Sequence, residues 1–178
     1  MVRCRRIVFE NFFSRMESGK EMKNQRMLDE LTELMRIDVS SGQETEIAEH
    51  LVKKLEQMGF AITRDEAGAT FGGVCGNILA VREGERDGVV CFCSHMDRVP
   101  GGIGIKPVEE DGILRSSGDT ILAADDLSGV AAILEGVRQA IESGKALPKL
   151  EILFTVGEEA GLYGAKAFDV SLLTSKTM

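Results

Sequence analysis

The sequence predicts an α/β fold in which strands alternate with helices and helices cover both faces of one sheet. Two observations support this. Apolar residues recur at helical spacing in several stretches, the first of which runs from Met22 to Ile37. Between such stretches lie short apolar runs with the length of strands, among them VVCFC and LEILF. A chain of 178 residues fits one domain with a substantial core.

The elements are predicted in chain order as follows. Residues 1–21 lack a regular apolar pattern and are expected to form an irregular N-terminal arm. A helix then begins at Met22, and a second amphipathic helix with Ile47, Leu51 and Leu55 on its buried face ends before Gly59. The remaining predicted elements are strands at 60–64, 77–81 and 89–93, a hairpin around 110–112, a helix over 126–143, a strand over 149–156 and a helix from 161. The strand VVCFC is continuously apolar, which predicts burial on both faces.

The charge balance excludes several classes of partner. The chain has 21 Lys and Arg against 29 Asp and Glu, a formal net charge of -8. This balance argues against binding to nucleic acid or to an anionic membrane surface, since both require basic side chains. No apolar run approaches the roughly 20 residues that a membrane helix needs, and the first residues lack the apolar stretch of a signal peptide. A cytoplasmic location is therefore expected.

The four cysteines do not indicate a disulfide framework. Cys4, Cys75, Cys91 and Cys93 form no CxxC pair and no dense spacing. Cys91 and Cys93 alternate along one predicted strand, so they should share a face. Buried free thiols are the expected interpretation, with a role in zinc binding as the alternative.

The first polar stretch of interest, Ser94-His95-Met96-Asp97, directly follows a predicted strand. In α/β sheets, sites form at the carboxyl ends of strands. There, His95 can offer one ring nitrogen to a metal while Asp97 accepts a hydrogen bond from the other. Taken alone, this pattern is weak evidence.

Two further stretches carry paired acids. Asp125 and Asp126 stand at a predicted helix start, where they serve either as a cap and a first-turn acid or as a carboxylate shared by two metals. Glu158 and Glu159 follow the strand LEILF. They are either a solvated loop pair or a metal ligand beside a general base.

The combination is stronger than its parts. One His, two Asp and a Glu pair arrive in order, each at the end of a predicted element. Carboxylate ligands with an imidazole suit zinc, and also cobalt or manganese. His50 lies within a predicted helix, where a surface or boundary histidine is expected and not a ligand.

The amino-acid sequences of three segments resemble those of a known family. SHMDRVPGG, GIKPVEEDGILRSSGDTILAADDLSGVAAILEG and LEILFTVGEEAGLYGAKAFD are similar to the co-catalytic zinc peptidases, most of all their peptidase T (tripeptide aminopeptidase)-like branch. The resemblance runs from about Met22 to Leu173. It implies a three-layer αβα catalytic domain with a mixed, mostly parallel sheet. Residues 22–178 would form a C-terminally truncated part of it, without the lid or dimerisation domain.

The resemblance also implies roles for individual residues. His95 would bind the first zinc, with Asp97 supporting it, and Asp125 would bridge both ions. Glu158 would be the general base, and Glu159 would bind the second zinc. The implied function is metal-dependent hydrolysis of short peptides by a water activated by two zinc ions. Asp126 matches no metal ligand of the family and is expected to cap its helix.

Two departures from the family pattern bear on this function. Leu127 stands where many relatives have Lys, which is not a ligand position. The family also supplies a further carboxylate and a last His after the region where this chain ends, and the chain has only two histidines. Two alternatives therefore stay open. One is an inactive remnant that binds at most one metal, and the other is an amidohydrolase of acylated amino acids. The missing elements also predict an exposed sheet edge or apolar patch, and hence self-association as a homo-oligomer.

Overall fold

A computed structural model describes residues 18–176 and the side chains from residue 25 onward. It has the mixed α/β architecture that the sequence predicts. The helices are α1 (Ser18–Arg36), α2 (Thr45–Gln57), α3 (Ala124–Glu142) and α4 (Tyr163–Ala167), with short 3-10 helices at Ala67–Thr70 and Val170–Leu172. The strands are β1 (Ala61–Arg64), β2 (Ile78–Arg82), β3 (Val89–His95), β4 (Pro107–Glu110), β5 (Ile113–Ser116) and β6 (Lys149–Thr155).

The main sheet is mixed, in the strand order β1-β2-β6-β3. Strands β1 and β2 pair antiparallel, as do β2 and β6. Strands β3 and β6 run parallel, with His95 opposite Thr155. The expectation that parallel pairs predominate is wrong for the described residues, because β3–β6 is the one parallel pair among them. That pair matters for function, since it ends both strands at the same edge of the sheet.

The larger core lies between one face of this sheet and helices α1, α2 and α3. The helical stripes predicted from the sequence are confirmed. Among the residues with no exposed surface are Leu34 and Met35 of α1, Leu51 of α2 and Leu134 of α3. Each such side chain contributes about 1.5–3 kcal/mol when it is fully buried. This packing fixes the helix starts and strand ends that lead into the site.

The opposite face of the sheet is covered more thinly. There, Leu79 and Leu153 pack against Phe168, with Leu173 beside them. Phe168 and Leu173 belong to the segment that follows α4. The sequence predicted helices on both faces of the sheet. The three long helices α1, α2 and α3 all contribute to the larger core on the first face.

Strand β3 is less buried than its apolar sequence predicts. Val90 is 38% exposed and Phe92 is 37% exposed, so the expectation of burial on both faces is wrong. The physical reason is position, because in the described part of the chain β3 pairs with β6 alone. Cys91 is buried but Cys93 is exposed, which confirms the expectation of buried thiols for only one of the two. The exposed edge matches the prediction, and self-association stays a prediction.

Several boundaries and turns can also be compared with expectation. Helix α1 begins at Ser18, ahead of Met22, so the predicted irregular arm is helical over its last residues. The rest of that arm, residues 1–17, lies outside the described residues. The hairpin β4–β5 is confirmed, with Asp111 at φ 53° and Gly112 at φ 72° in its two-residue turn. None of the described helices has the length and apolar character needed to cross a membrane.

Candidate metal centre

The five side chains singled out in the sequence come together at one edge of the sheet. His95 is the last residue of β3, and the loop after β6 begins two residues before Glu158. Because β3 and β6 are parallel, these two segments meet where both strands end. The start of α3 brings Asp125 to the same place. The members of the site are His95, Asp97, Asp125, Glu158 and Glu159.

The imidazole of His95 is held on both sides. Its Nδ1 atom lies 3.2 Å from the Asp97 carbonyl oxygen and 3.3 Å from Asp97 Oδ1. Its Nε2 atom lies 3.1 Å from Asp125 Oδ1 and 3.9 Å from Glu158 Oε2. A ring N–H at Nδ1 donating to Asp97 leaves Nε2 directed at the other carboxylates. This is the arrangement in which a histidine binds metal.

Asp97 accepts hydrogen bonds from several other members of the site. It is fully buried, and its Oδ1 accepts a hydrogen bond from the Glu158 N–H at 2.9 Å while Oδ2 accepts one from the Glu159 N–H at 3.1 Å. The Ser41 hydroxyl also donates to Oδ2. Burial alone raises the pKa of Asp97, but the hydrogen bonds from His95, Ser41 and the backbone outweigh it and hold this pKa below its ordinary value. Asp97 therefore stays ionised.

A second buried carboxylate, Glu44, reaches the same loops. Its Oε1 accepts hydrogen bonds from the N–H groups of Gly42, at 2.7 Å, and Gly157, at 3.1 Å. Burial raises its pKa. Neither Ser41 nor Glu44 was identified from the sequence as a site residue. A Ser in a turn and an acid at a helix start have ordinary local roles, whereas Asp97 and Gly157, which Ser41 and Glu44 contact here, lie far along the chain.

The two adjacent aspartates at the start of α3 face different neighbours. Their backbone is non-helical, and a cis peptide bond joins them. Asp126 accepts hydrogen bonds from the Gly129 N–H at 3.2 Å and from the Ser94 hydroxyl at 2.7 Å, which confirms the predicted cap. Asp125 faces His95 instead, and its side chain is 85% exposed. The site is therefore open to solvent on the Asp125 side.

The electrostatics of the site favour a cation. Donor atoms of His95, Glu158 and Glu159 all lie within 4.8 Å of one another. Burial alone lowers the pKa of His95, but hydrogen bonds with Asp97 and Asp125 and the charge of Glu158 outweigh it and raise this pKa to about 9. The pKa of Glu159 is raised by burial and by the charges of Asp125 and Glu158. The negative potential that retains a proton on His95 also attracts a metal ion.

The donor set fits a metal. In the described part of the chain, no Lys or Arg nitrogen lies within 4.0 Å of the carboxylates of Asp125, Glu158 or Glu159. Neighbouring carboxylates repel one another unless a cation neutralises them. One imidazole with several carboxylate oxygens is a ligand set that zinc accepts. The residues present therefore suit the metal that the sequence motifs imply.

His50 lies elsewhere, as expected. Its side chain is partly exposed, and Nε2 is 3.8 Å from carboxylate oxygens of Glu30 and Glu33. Lys54 already bridges these two acids, with Nζ 2.8 Å from each. The prediction of a boundary histidine is confirmed.

Comparisons with known proteins identify the family of this chain and structures with a similar fold. A sequence model described as Peptidase family M28 matches residues 77–176. The chain is 37% identical over 155 residues to the uncharacterized protein YqjE of Bacillus subtilis, a match that covers 86% of this chain and 42% of that protein. Its fold superimposes on aminopeptidase PepT from Bacillus cereus with a TM-score of 0.82 at 39% identity. It superimposes on a tripeptidase from Staphylococcus aureus with a TM-score of 0.79 at 35% identity. Each of these two structural matches covers 85% of this chain and 41% of the other.

The fold is similar to those of a PepT aminopeptidase and a tripeptidase, the branch of metallopeptidases that the three motifs predicted. The chain belongs to peptidase family M28. It spans about two fifths of the length of the relatives named above, with 42% of YqjE and 41% of each peptidase covered.

Proposed function

We propose that this chain carries most of the metal centre of a peptidase that hydrolyses short peptides, such as tripeptides. One observation supports this most directly. His95, Asp125, Glu158 and Glu159 direct donor atoms at one another, and among the described residues no Lys or Arg nitrogen lies within 4.0 Å of the three carboxylates. The aminopeptidase and the tripeptidase with similar folds support a short peptide as the substrate.

Three residues are proposed as metal ligands. His95 would bind one zinc ion through Nε2, Glu159 would bind a second, and Asp125 would be shared by both. Cobalt and manganese accept the same ligand types. When bound, the metal supplies Lewis acidity that polarises a carbonyl and lowers the pKa of a water molecule. Asp97 keeps His95 in the tautomer whose Nε2 is free to bind.

Glu158 is the proposed general base. Its side chain is 34% exposed, so its carboxylate can meet both water and substrate. Its backbone N–H is fixed by the buried Asp97, which limits the orientations of the side chain. In the proposed reaction Glu158 takes a proton from the attacking water and gives it to the leaving amine. The carbon–nitrogen bond of the peptide breaks as the carbon–oxygen bond of the new carboxylate forms.

A Glu158→Gln variant of the whole protein tests this assignment. Gln keeps the size of the side chain but cannot accept the proton, so tripeptide hydrolysis should fall about 10²–10⁴-fold. Zinc content, measured by elemental analysis, should be unchanged. Glu109→Gln, on the exposed hairpin, is the matched control and should retain full turnover. Retained turnover in the Glu158→Gln variant would show that another group is the base.

A second candidate is that the chain binds a single metal ion without turnover. One observation on the described residues favours this single-metal site. The cluster offers one imidazole and three carboxylates, and a zinc ion usually takes four ligands. The zinc stoichiometry of the chain separates the two proposals. Two ions per chain support the two-metal centre, and one ion without hydrolysis supports the single site.

A further inference from the structure

Glu44 makes contacts that its position in the chain does not explain. It lies at the N-terminal end of α2 and is fully buried. Its side chain makes no capping hydrogen bond to that helix. Instead, Oε1 accepts hydrogen bonds from Gly42, at 2.7 Å, and from Gly157, at 3.1 Å. Glu44 thereby reaches the residue immediately before Glu158.

Three consecutive N–H groups of the loop after β6 end on two buried carboxylates. The N–H of Gly157 donates to Glu44, and those of Glu158 and Glu159 donate to Asp97. The same two acids also hold the segment before α2, through Gly42 N–H on Glu44 and the Ser41 hydroxyl on Asp97. Because three successive N–H groups are hydrogen-bonded, the loop has little conformational freedom. The two buried carboxylates therefore limit the directions in which the side chains of Glu158 and Glu159 can point.

The surroundings of Gly157 allow little adjustment. Its φ is +60°, and a Cβ atom there would lie 2.6 Å from the ring of Phe71. That ring stacks on Tyr163 with centroids 4.9 Å apart and planes at 10°. Gly157 therefore lies against the Phe71 ring and also donates its N–H to the Glu44 carboxylate.

The fully buried position of the Glu44 carboxylate is unfavourable for a charged group. Among the described residues no Lys, Arg or His nitrogen lies within 4.0 Å of it, and its Oε2 atom has the Cys75 thiol at 4.0 Å. Burying a carboxylate away from water without a neighbouring cation is unfavourable. Packing alone would be served better by an apolar side chain, so the carboxylate needs another explanation.

We infer that Glu44 is a positioning residue of the metal centre. By accepting the N–H of Gly157, it holds the loop so that Glu158 and Glu159 present their carboxylates to His95. The inference deepens the proposed function and rests on it for its kinetic consequences. The hydrogen bonds themselves can be tested independently of activity.

The first test compares Glu44→Met with Glu44→Gln by hydrogen exchange. Met has a similar volume but no acceptor, whereas Gln keeps an oxygen at the position of Oε1. Glu44→Met should accelerate amide exchange in the peptide covering 157–159 about tenfold, since an N–H loses its acceptor. Glu44→Gln should remain close to wild type. Glu44→Ala provides the same comparison should the Met variant fail to fold.

Glu135→Met is the matched control. Glu135 is also a buried carboxylate, but its partners are Arg26, Arg138 and Gln139. Its loss should destabilise the protein without a selective effect on residues 157–159. Selective exchange in the loop therefore separates positioning from a general loss of stability.

Metal binding gives a second readout. Glu44→Met should weaken zinc binding about 10–100-fold, because groups that orient metal ligands typically contribute that much. Glu44→Gln should restore most of the affinity, and the visible spectrum of added cobalt should change in the Met variant alone. In a protein that hydrolyses peptides, kcat should fall more than KM rises, because the proposed base is displaced.

The outcomes separate the two proposals. Wild-type exchange and wild-type zinc affinity in Glu44→Met would overturn the role of Glu44. Equal acceleration in the Met and Gln variants would also overturn it, because Gln keeps the acceptor. Absence of peptide hydrolysis by the wild-type protein with any metal would instead count against the proposed function. The exchange comparison would still decide the role of Glu44.

Discussion

Two clusters in this molecule place a histidine among carboxylates. In the site cluster, His95 lies with Glu158 and Glu159 at the ends of β3 and β6. In the helix cluster, His50 of α2 lies with Glu30 and Glu33 of α1. In both, the nitrogen and oxygen atoms lie within 4.8 Å of one another.

The clusters differ in how their negative charge is balanced. In the helix cluster, Lys54 Nζ lies 2.8 Å from both Glu30 and Glu33, and Arg138 lies 3.1 Å from Glu30. Within the described residues, no Lys or Arg nitrogen lies within 4.0 Å of the Asp125, Glu158 and Glu159 carboxylates of the site cluster. Lys54 and Arg138 thus balance the acids of the helix cluster, whereas at the site cluster we propose that a metal ion from solution balances the carboxylates.

The comparison shows that residue types and spacing do not by themselves define a metal centre. The helix cluster joins α1, α2 and α3, so its ion pairs stabilise the packing of helices. The site cluster lies on loops at the carboxyl ends of strands, with buried acceptors behind it and an open side in front. We therefore expect metal to bind at His95 and not at His50.

A large effect on the site cluster is expected from Asp97→Asn, which leaves every proposed metal ligand in place. All the partners of Asp97 donate hydrogen bonds, and Asn would place an NH₂ donor against two of them. Zinc affinity, measured by calorimetric titration, should fall about 10–100-fold. Asp169→Asn is the control, since Asp169 caps a 3-10 helix outside the site. Unchanged affinity in Asp97→Asn would mean that Asp97 does not orient His95.

A smaller effect is expected from Arg138→Met in the helix cluster. Arg138 contacts Glu30 and Glu135 at 3.1 Å each, and both glutamate side chains are only 4% exposed. Its loss should lower the free energy of unfolding by about 1 kcal/mol, since charged hydrogen bonds to buried groups are lost. Urea denaturation measures this, with Arg115→Met on the exposed hairpin as control. Zinc affinity should stay at the wild-type value, and a drop would show that the two clusters are coupled.

The smallest effect concerns acid stability at Glu151, a buried residue of β6. Burial alone raises its pKa, but hydrogen bonds from the backbone N–H groups of Ser175 and Thr174 hold this pKa below its ordinary value. A pKa that is lower in the folded state stabilises the fold above the unfolded value of about 4.3. That stabilisation is lost as the pH falls through the folded pKa.

Glu151→Gln should therefore lower the free energy of unfolding at neutral pH, and the difference from wild type should shrink on acidification. Urea midpoints measured across the acid range test this, with Glu56→Gln on the exposed face of α2 as control. A difference that grows as the pH falls would contradict the assignment.

The sequence predicted most of the elements, because apolar periodicity reflects which surfaces must be buried. The stripe with Leu34 and Met35 and the strand LEILF are examples that the structure confirms. The degree of burial of β3 was not predictable. An apolar run indicates burial, but strand order decides which strand lies at an edge, and Phe92 lies on such a strand.

The motif residues of the candidate site, with Asp97 as the support of His95, could be proposed from the sequence, but Glu44 and Ser41 could not. His95, Asp125 and Glu158 stand at strand or helix ends, where chemistry is expected. Glu44 and Ser41 act through contacts that span much of the chain, and a single sequence carries no signal for such pairs. The capping role of Asp126 was predictable because it is local.

The most direct test of the account is zinc titration of the His95→Ala and His50→Ala variants beside the wild-type protein. We expect His95→Ala to lose tight zinc binding and His50→Ala to bind as the wild type does. Loss of binding in His50→Ala, with binding retained in His95→Ala, would contradict the claim that protein cations, and not residue types, decide which cluster is the metal centre.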